Sequence, residues 1–128
     1  MSRIHAAHPF QWIIEIVEDH PTFVRKRMFG CEAIYLHGHL ALVLAASEEP
    51  WNGLLVCTSQ ESHESLILEY PVLRSHPILG KWLYVSQTVG EFEDVAHRIA
   101  GRATRGDPRI GVESKPRRQR RGRKIEKR

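Results

Sequence analysis

The sequence predicts an α+β protein of two layers, a largely antiparallel sheet with helices gathered on one face. Three observations predict it. Apolar residues recur at helical spacing near the start and again near the end of the apolar region, and several strand-like runs follow one another directly between them. The resulting order of helix, strands, helix, strand, helix lacks the regular alternation of a doubly wound sheet. The 128 residues are 41% hydrophobic and 27% charged, which is apolar enough for one core and too apolar for a wholly disordered chain.

The first helix is expected from Pro9, a residue tolerated in a first turn, because Phe10, Ile13, Ile14 and Val17 follow the i, i+3, i+4, i+7 pattern; it must stop before Pro21. A strand is expected over residues 23–29, a break at Gly30, and a second strand over residues 31–36. The clearest β signal spans residues 33–45, where two apolar runs flank His37-Gly38-His39 and Gly38 can take the positive φ of a hairpin turn. Strict alternation along the second arm sets Leu40, Leu42 and Leu44 on one face and Ala41, Val43 and Ala45 on the other. Both faces are apolar. Helices over the leucines leave the smaller face to another segment or a second subunit, and the second of these coverings would make the chain a homodimer.

Beyond the loop at Glu48, Glu49 and Pro50, residues 54–57 read as a strand, and Thr58 with Glu61 has capping-box spacing for a helix through Tyr70 with Leu66, Ile67 and Tyr70 inward. Pro71 and Pro77 bracket a connection that cannot continue this helix, and residues 81–86 form a strand around Trp82-Leu83-Tyr84-Val85. Thr88 and Glu91 repeat the capping-box spacing. The last helix then carries an inward stripe of Phe92, Val95, Ala96, Ile99 and Ala100 and is expected to end at Gly101, with a turn at Asp107-Pro108. No internal repeat is present.

Past Val112 apolar content almost vanishes, which divides the chain into a folded domain, residues 1–112, and a disordered basic tail, residues 113–128. The tail holds nine Lys or Arg against two Glu, a balance of +7, whereas residues 1–112 hold ten basic against thirteen acidic residues, a balance of −3. Within the tail, Arg117, Arg118, Arg120, Arg121, Arg123 and Lys124 are the candidate polyanion-binding run, since a flexible cationic segment neutralises phosphates without reading their sequence. RNA, DNA, acidic proteins and anionic membrane surfaces all attract such a segment, and a solubilising tail accounts for the same residues. Its lack of aromatics argues against base stacking. A second candidate surface is Arg25, Lys26 and Arg27 with Met28 and Phe29, although charges there also protect an edge strand from unwanted pairing.

Cys31 and Cys57 lie in apolar runs without a CxxC partner and read as buried thiols; with no secretory leader pattern, a cytoplasmic protein is expected. No apolar run approaches the roughly 18 residues needed to cross a bilayer. His37 and His39 share a strand face, but no second paired ligand motif accompanies them, so no metal is expected. His63-Glu64 opens like a zinc-protease helix, yet Ile67 stands where the second His would be required. The cysteines and serines lack a nucleophile elbow and no phosphate-cradling glycine loop is present, so no catalytic residue or cofactor is expected. Among the tryptophans, Trp51 in Pro-Trp-Asn-Gly is the one expected to be exposed, and all three are read as packing residues.

The segment RKRMFGCEAIYLHGHLALVL, residues 25–44, resembles the N-terminal domain of the TfoX/Sxy family through Arg27, Met28, Phe29, Gly30, Ile34, Tyr35, Leu36 and Gly38. HPILGKWLYV, residues 76–85, is similar to a late strand of the related MmcQ/YjbR-like proteins. The resemblance implies a two-layer α/β fold and a regulatory or binding role without catalytic residues; the TfoX family is associated with control of natural competence. The chain departs from the family at residues 54–58, where Cys57 replaces a lysine near the strand end, and it carries a basic tail in place of the second helical domain of full-length regulators. A competence role is therefore not carried over. The expected function is a non-enzymatic binding or regulatory module acting through association with an unidentified protein, its tail adding attraction for polyanions. The alternative is a nucleic-acid-associated protein whose affinity comes mainly from the tail.

Overall fold

A computed structural model describes residues 8–113. The polyanion-binding candidates Arg117, Arg118, Arg120, Arg121, Arg123 and Lys124 lie outside the described residues. In chain order the elements are α1 (Gln11–Val17), β1 (Val24–Met28), β2 (Cys31–Leu36), β3 (His39–Ala46), β4 (Asn52–Val56), α2 (His63–Glu69), β5 (Arg74–Ser75), β6 (Leu83–Ser86) and α3 (Phe92–Thr104), with a short 3-10 turn at Gln60–Ser62 before α2. The strands form one six-stranded sheet in the order β1-β2-β3-β4-β6-β5, and every pairing is antiparallel. The helices pack on one side, as an α+β fold requires.

Two tight hairpins build the first half of the sheet. Met28 pairs with Cys31 across Phe29 (φ 55°) and Gly30 (φ 74°), and Leu36 pairs with His39 across His37 (φ 56°) and Gly38 (φ 78°). Positive φ at both central residues marks type I′ turns, whose twist matches that of the flanking strands. Between β3 and β4 the chain turns through Glu48, Glu49, Pro50 and Trp51, with a cis peptide before Pro50.

The main core lies between the helices and the sheet. Ile13, Ile14 and Val17 of α1, Leu66 of α2 and Phe92, Val95, Ala96, Ile99 and Ala100 of α3 are buried against Ile34, Leu36, Leu42, Leu44, Leu54 and Val56. The stripes expected for the first and last helices therefore face inward. A second apolar cluster covers the helix-free face: Cys31, Ala33, Leu40, Val43, Ala45, Leu55, Cys57 and Tyr84, packed against by Met28, Tyr35, Trp51, Leu79, Trp82 and Val112. Other segments of the same chain thus pack on the helix-free face, the first of the two coverings that alternation had left open there, a further segment or a second subunit.

Four local expectations are corrected. Leu40 lies with Val43 and Ala45, while Ala41 joins Leu42 and Leu44, because Tyr35 pairs with Leu40 but Ile34 with Leu42; Ala41 is the extra residue of a β-bulge, which reverses face parity. Thr58 does not cap the second helix, since its hydroxyl donates to Arg109 O at 2.6 Å and α2 begins at His63. Thr88 does not cap the third, its hydroxyl being 2.9 Å from Ser86 Oγ. That last helix runs through Gly101 to Thr104 and ends in a Schellman motif: Gly106 (φ 78°) donates to Ala103 O and Asp107 to Arg102 O. The sequence reading also had no counterpart of β5.

After α3 the chain returns to the sheet. Gly111 N donates to Cys57 O at 2.7 Å, and Val112 exchanges both backbone bonds with Leu40, beyond the point where β4 leaves β3. Among the described residues no helix is long and apolar enough to cross a membrane.

Candidate functional site

The β1–β2 hairpin carries the surface singled out in the sequence, and the two-residue turn dictates who meets whom. Arg27 is directly opposite Glu32, and Arg25 is opposite Ile34, so both arginines share the helix-side face with Glu32. Arg25 Nε donates to Glu32 Oε1 at 2.8 Å and Arg27 Nη1 to Glu32 Oε2 at 3.3 Å. One buried carboxylate therefore serves two guanidiniums, of which the Arg27 side chain remains 73% exposed. Lys26 is on the other face, its ammonium 5.3 Å from the centroid of the Tyr35 ring. That separation is within cation–π range. Met28 is half-buried in the helix-free cluster, and Phe29 is 67% exposed at the hairpin tip.

Phe29 does not stand alone. Its ring centroid is 6.3 Å from that of Trp51, which is 4.5 Å from His76, itself 5.3 Å from Tyr84. His76 is buried and fully bonded: Nε2 donates to Pro50 O at 2.7 Å, while Nδ1 accepts from the amides of Ile78 and Leu79. This pattern defines the Nε2–H tautomer. It ties the loop before β6 to the turn that carries Trp51, leaving Ile78 of that loop 63% exposed, and Phe29 with Trp51 forms an aromatic corner.

Behind the corner, Glu49 accepts from Ser86 Oγ, from the Tyr84 hydroxyl at 2.7 Å and from Asn52 Nδ2. The Ser86 bond and its companions hold the Glu49 carboxyl below its usual range. Burial, then the bond to Glu49, pushes the Tyr84 phenol up to about 12. These bonds tie the β3–β4 turn to β6 and so support Trp51 from behind.

On the opposite side Arg109 ties the chain's return path to α2. It donates to Ser65 Oγ (2.8 Å), Glu69 (2.9 Å) and Asp107 (2.7 Å), and Arg102 also bonds Glu69. The Arg109 guanidinium lowers the pKa of both Asp107 and Glu69. A shallow cleft of about 390 Å³ adjoins this loop, lined among others by His37, His39, Asp107 and Ile110. His37 Nε2 donates to Thr104 O at 2.9 Å, and Asp107 is committed to Arg109, so these two polar groups of the cleft hold the chain's return path in place.

Among the described residues no group of three or more His, Cys, Asp or Glu is placed to hold a metal. His63 Nε2 donates to Lys81 O. Cys31 and Cys57 are free and buried, and burial raises both thiol pKa values. Trp51, expected at the surface, is half-buried, as are Trp12 and Trp82.

The sequence reading missed Glu32, the partner of Arg25 and Arg27, and the Trp51–His76–Tyr84–Glu49 support. Glu32 was findable: once Phe29-Gly30 is read as a two-residue turn, the register places it opposite Arg27. The His76 contacts span distant loops and had no local signal.

Fold and surface together define an α+β protein with an open antiparallel sheet and a basic, aromatic-tipped hairpin at one edge. Comparison with family models, curated proteins and solved structures returns no match.

Proposed function

We propose that this chain is a non-enzymatic binding or regulatory module that associates with a partner protein through the corner formed by Phe29 and Trp51, with the exposed Ile78 on the loop that His76 anchors beside Trp51. The observation that carries the reading is Phe29, a bulky residue at φ 55° and 67% exposed. Asn or Gly would fill that turn position with less strain, and a left-handed L-residue costs about 1–2 kcal/mol. An exposed aromatic kept at such a position, with Trp51 propped behind it, is a surface suited to recognition.

Phe29→Asn separates recognition from folding. It should raise stability by about 1 kcal/mol in urea unfolding while removing any partner that the full chain captures through this corner. Partners retained undiminished by Phe29→Asn sink the proposal. The resemblance of residues 25–44 to the TfoX/Sxy N-terminal domain belongs to the same proposal, as does a cytoplasmic location, which the two free, buried thiols support.

The runner-up, a nucleic-acid-associated protein held mainly by its tail, draws on the separation of charge between residues 1–112 and residues 113–128. Capture by residues 1–112 distinguishes the two. A corner-held partner survives that truncation and high salt, whereas a tail-held polyanion is lost to both.

A further inference from the structure

We propose that the free edge of β1 receives an extended, acidic segment of a partner protein, which adds to the sheet as another strand with its carboxylates beside Arg25 and Arg27. Among the described residues nothing pairs with the outer side of β1, and four of its five residues are exposed. Which backbone groups are free follows from the turn. In a two-residue hairpin the flanking pair, here Met28 and Cys31, exchanges both hydrogen bonds, and bonded and non-bonded pairs then alternate. Arg25 and Arg27 fall at the non-bonded pairs, so their N–H and C=O groups point away from β2.

The two edges of the sheet differ in how they meet the danger of unwanted pairing. β5, at the far edge, is only two residues long and so offers almost no template. β1 spans five residues in unbroken register with β2, contains no proline and exposes Val24. Its one device is charge. Of its three consecutive cations, Arg25 and Arg27 share one carboxylate, Glu32, and Lys26 lies on the other face, which leaves the strand with an excess of positive charge. A second copy laid against this edge would set cations against cations, and like charges directly opposite repel. An acidic strand meets the opposite condition: residues on one of its faces reach Arg25 and Arg27, and those on the other lie beside Val24, Lys26 and Met28. Charge selects the occupant and the main chain holds it, the logic of strand addition.

This inference rests on the reading of the chain as a protein-association module but assigns a different element, so the two fail separately. The test uses the full chain and a fluorescein-labelled peptide of about eight residues alternating Glu and Val. A second peptide has the same charge but N-methylated amides on the edge that would face β1. Any attraction to the tail is common to both peptides. The expected result is saturable binding of the first, at least about tenfold weaker binding of the second, and slowed hydrogen exchange at the Arg25 and Arg27 amides. Arg27→Pro, which removes an outward donor while sparing the bonds to β2, should weaken the first peptide by a similar factor with the circular dichroism spectrum retained. Equal binding of the two peptides, no saturation up to about 1 mM, or protection confined to other elements overturns it. Loss of partner capture in Phe29→Asn with peptide binding intact leaves the edge assignment standing and locates the corner separately.

Discussion

At the scale of single residues, close approach and shared charge matter most. Gly53 sits in β4 where an added Cβ would come within 2.1 Å of Val85 O and 2.9 Å of Ser86 Cα on β6. The obstructing atoms are backbone in a paired strand, so relief requires the β4–β6 ladder to move. Gly53→Ala should therefore cost about 3 kcal/mol, read as a lower urea midpoint, and a change below about 0.5 kcal/mol contradicts the β4–β6 pairing. Arg109 makes the second residue-scale prediction. It depresses the carboxyl pKa values of Asp107 and Glu69, and a depressed folded value means stability that is full above the ordinary carboxylate range and lost as pH falls through the folded values. Unfolding free energy should thus decline as pH falls below about 4. Arg109→Leu should lower stability by about 2 kcal/mol at pH 7 and flatten that decline, which urea titrations at several pH values measure.

At the scale of elements, the helices and most strands were legible because burial imposes a period. Ile13, Ile14 and Val17, or Phe92, Val95 and Ile99, can be read from spacing alone since each stripe serves one continuous face. What spacing could not reveal is where the chain interrupts its own period. Ala41 looks like an ordinary alternating residue, and only its pairing with β2 makes it a bulge. The capping boxes failed for a related reason: Thr58 and Thr88 have the right neighbours in sequence, but Arg109 O and Ser86 Oγ claim their hydroxyls in space. The return of the chain after α3 was likewise invisible, because Ile110 and Val112 are isolated apolar residues without periodic company. Their role is testable by truncation. A chain ending at Val112 keeps Ile110 in the core and both bonds to Leu40, so it should unfold with the midpoint of the full chain. A chain ending at Arg109 loses both and should be less stable by about 3 kcal/mol, and equal midpoints for the two refute a structural role for this segment.

At the scale of the whole molecule, the chain joins two charge regimes that the average conceals, a body of −3 over residues 1–112 and a tail of +7 over residues 113–128. The division has a quantitative consequence for any polyanion complex. If the six cations at Arg117, Arg118, Arg120, Arg121, Arg123 and Lys124 each neutralise one phosphate of a single-stranded nucleic acid, the logarithm of the association constant should fall with the logarithm of salt concentration with a slope of about −4. The body, with thirteen acidic against ten basic residues over 1–112, adds little to that slope. Truncation after Val112 should therefore remove the binding and its salt dependence together, whereas the six substitutions to Gln should flatten the slope without altering the unfolding midpoint. A slope near −4 that persists in the truncated chain would place the cationic surface on the folded body, with β1 the first place to look. Fluorescence anisotropy of a labelled oligothymidylate across a salt series, with the full and shortened chains side by side, decides between the tail and the sheet edge as the electrostatic contact.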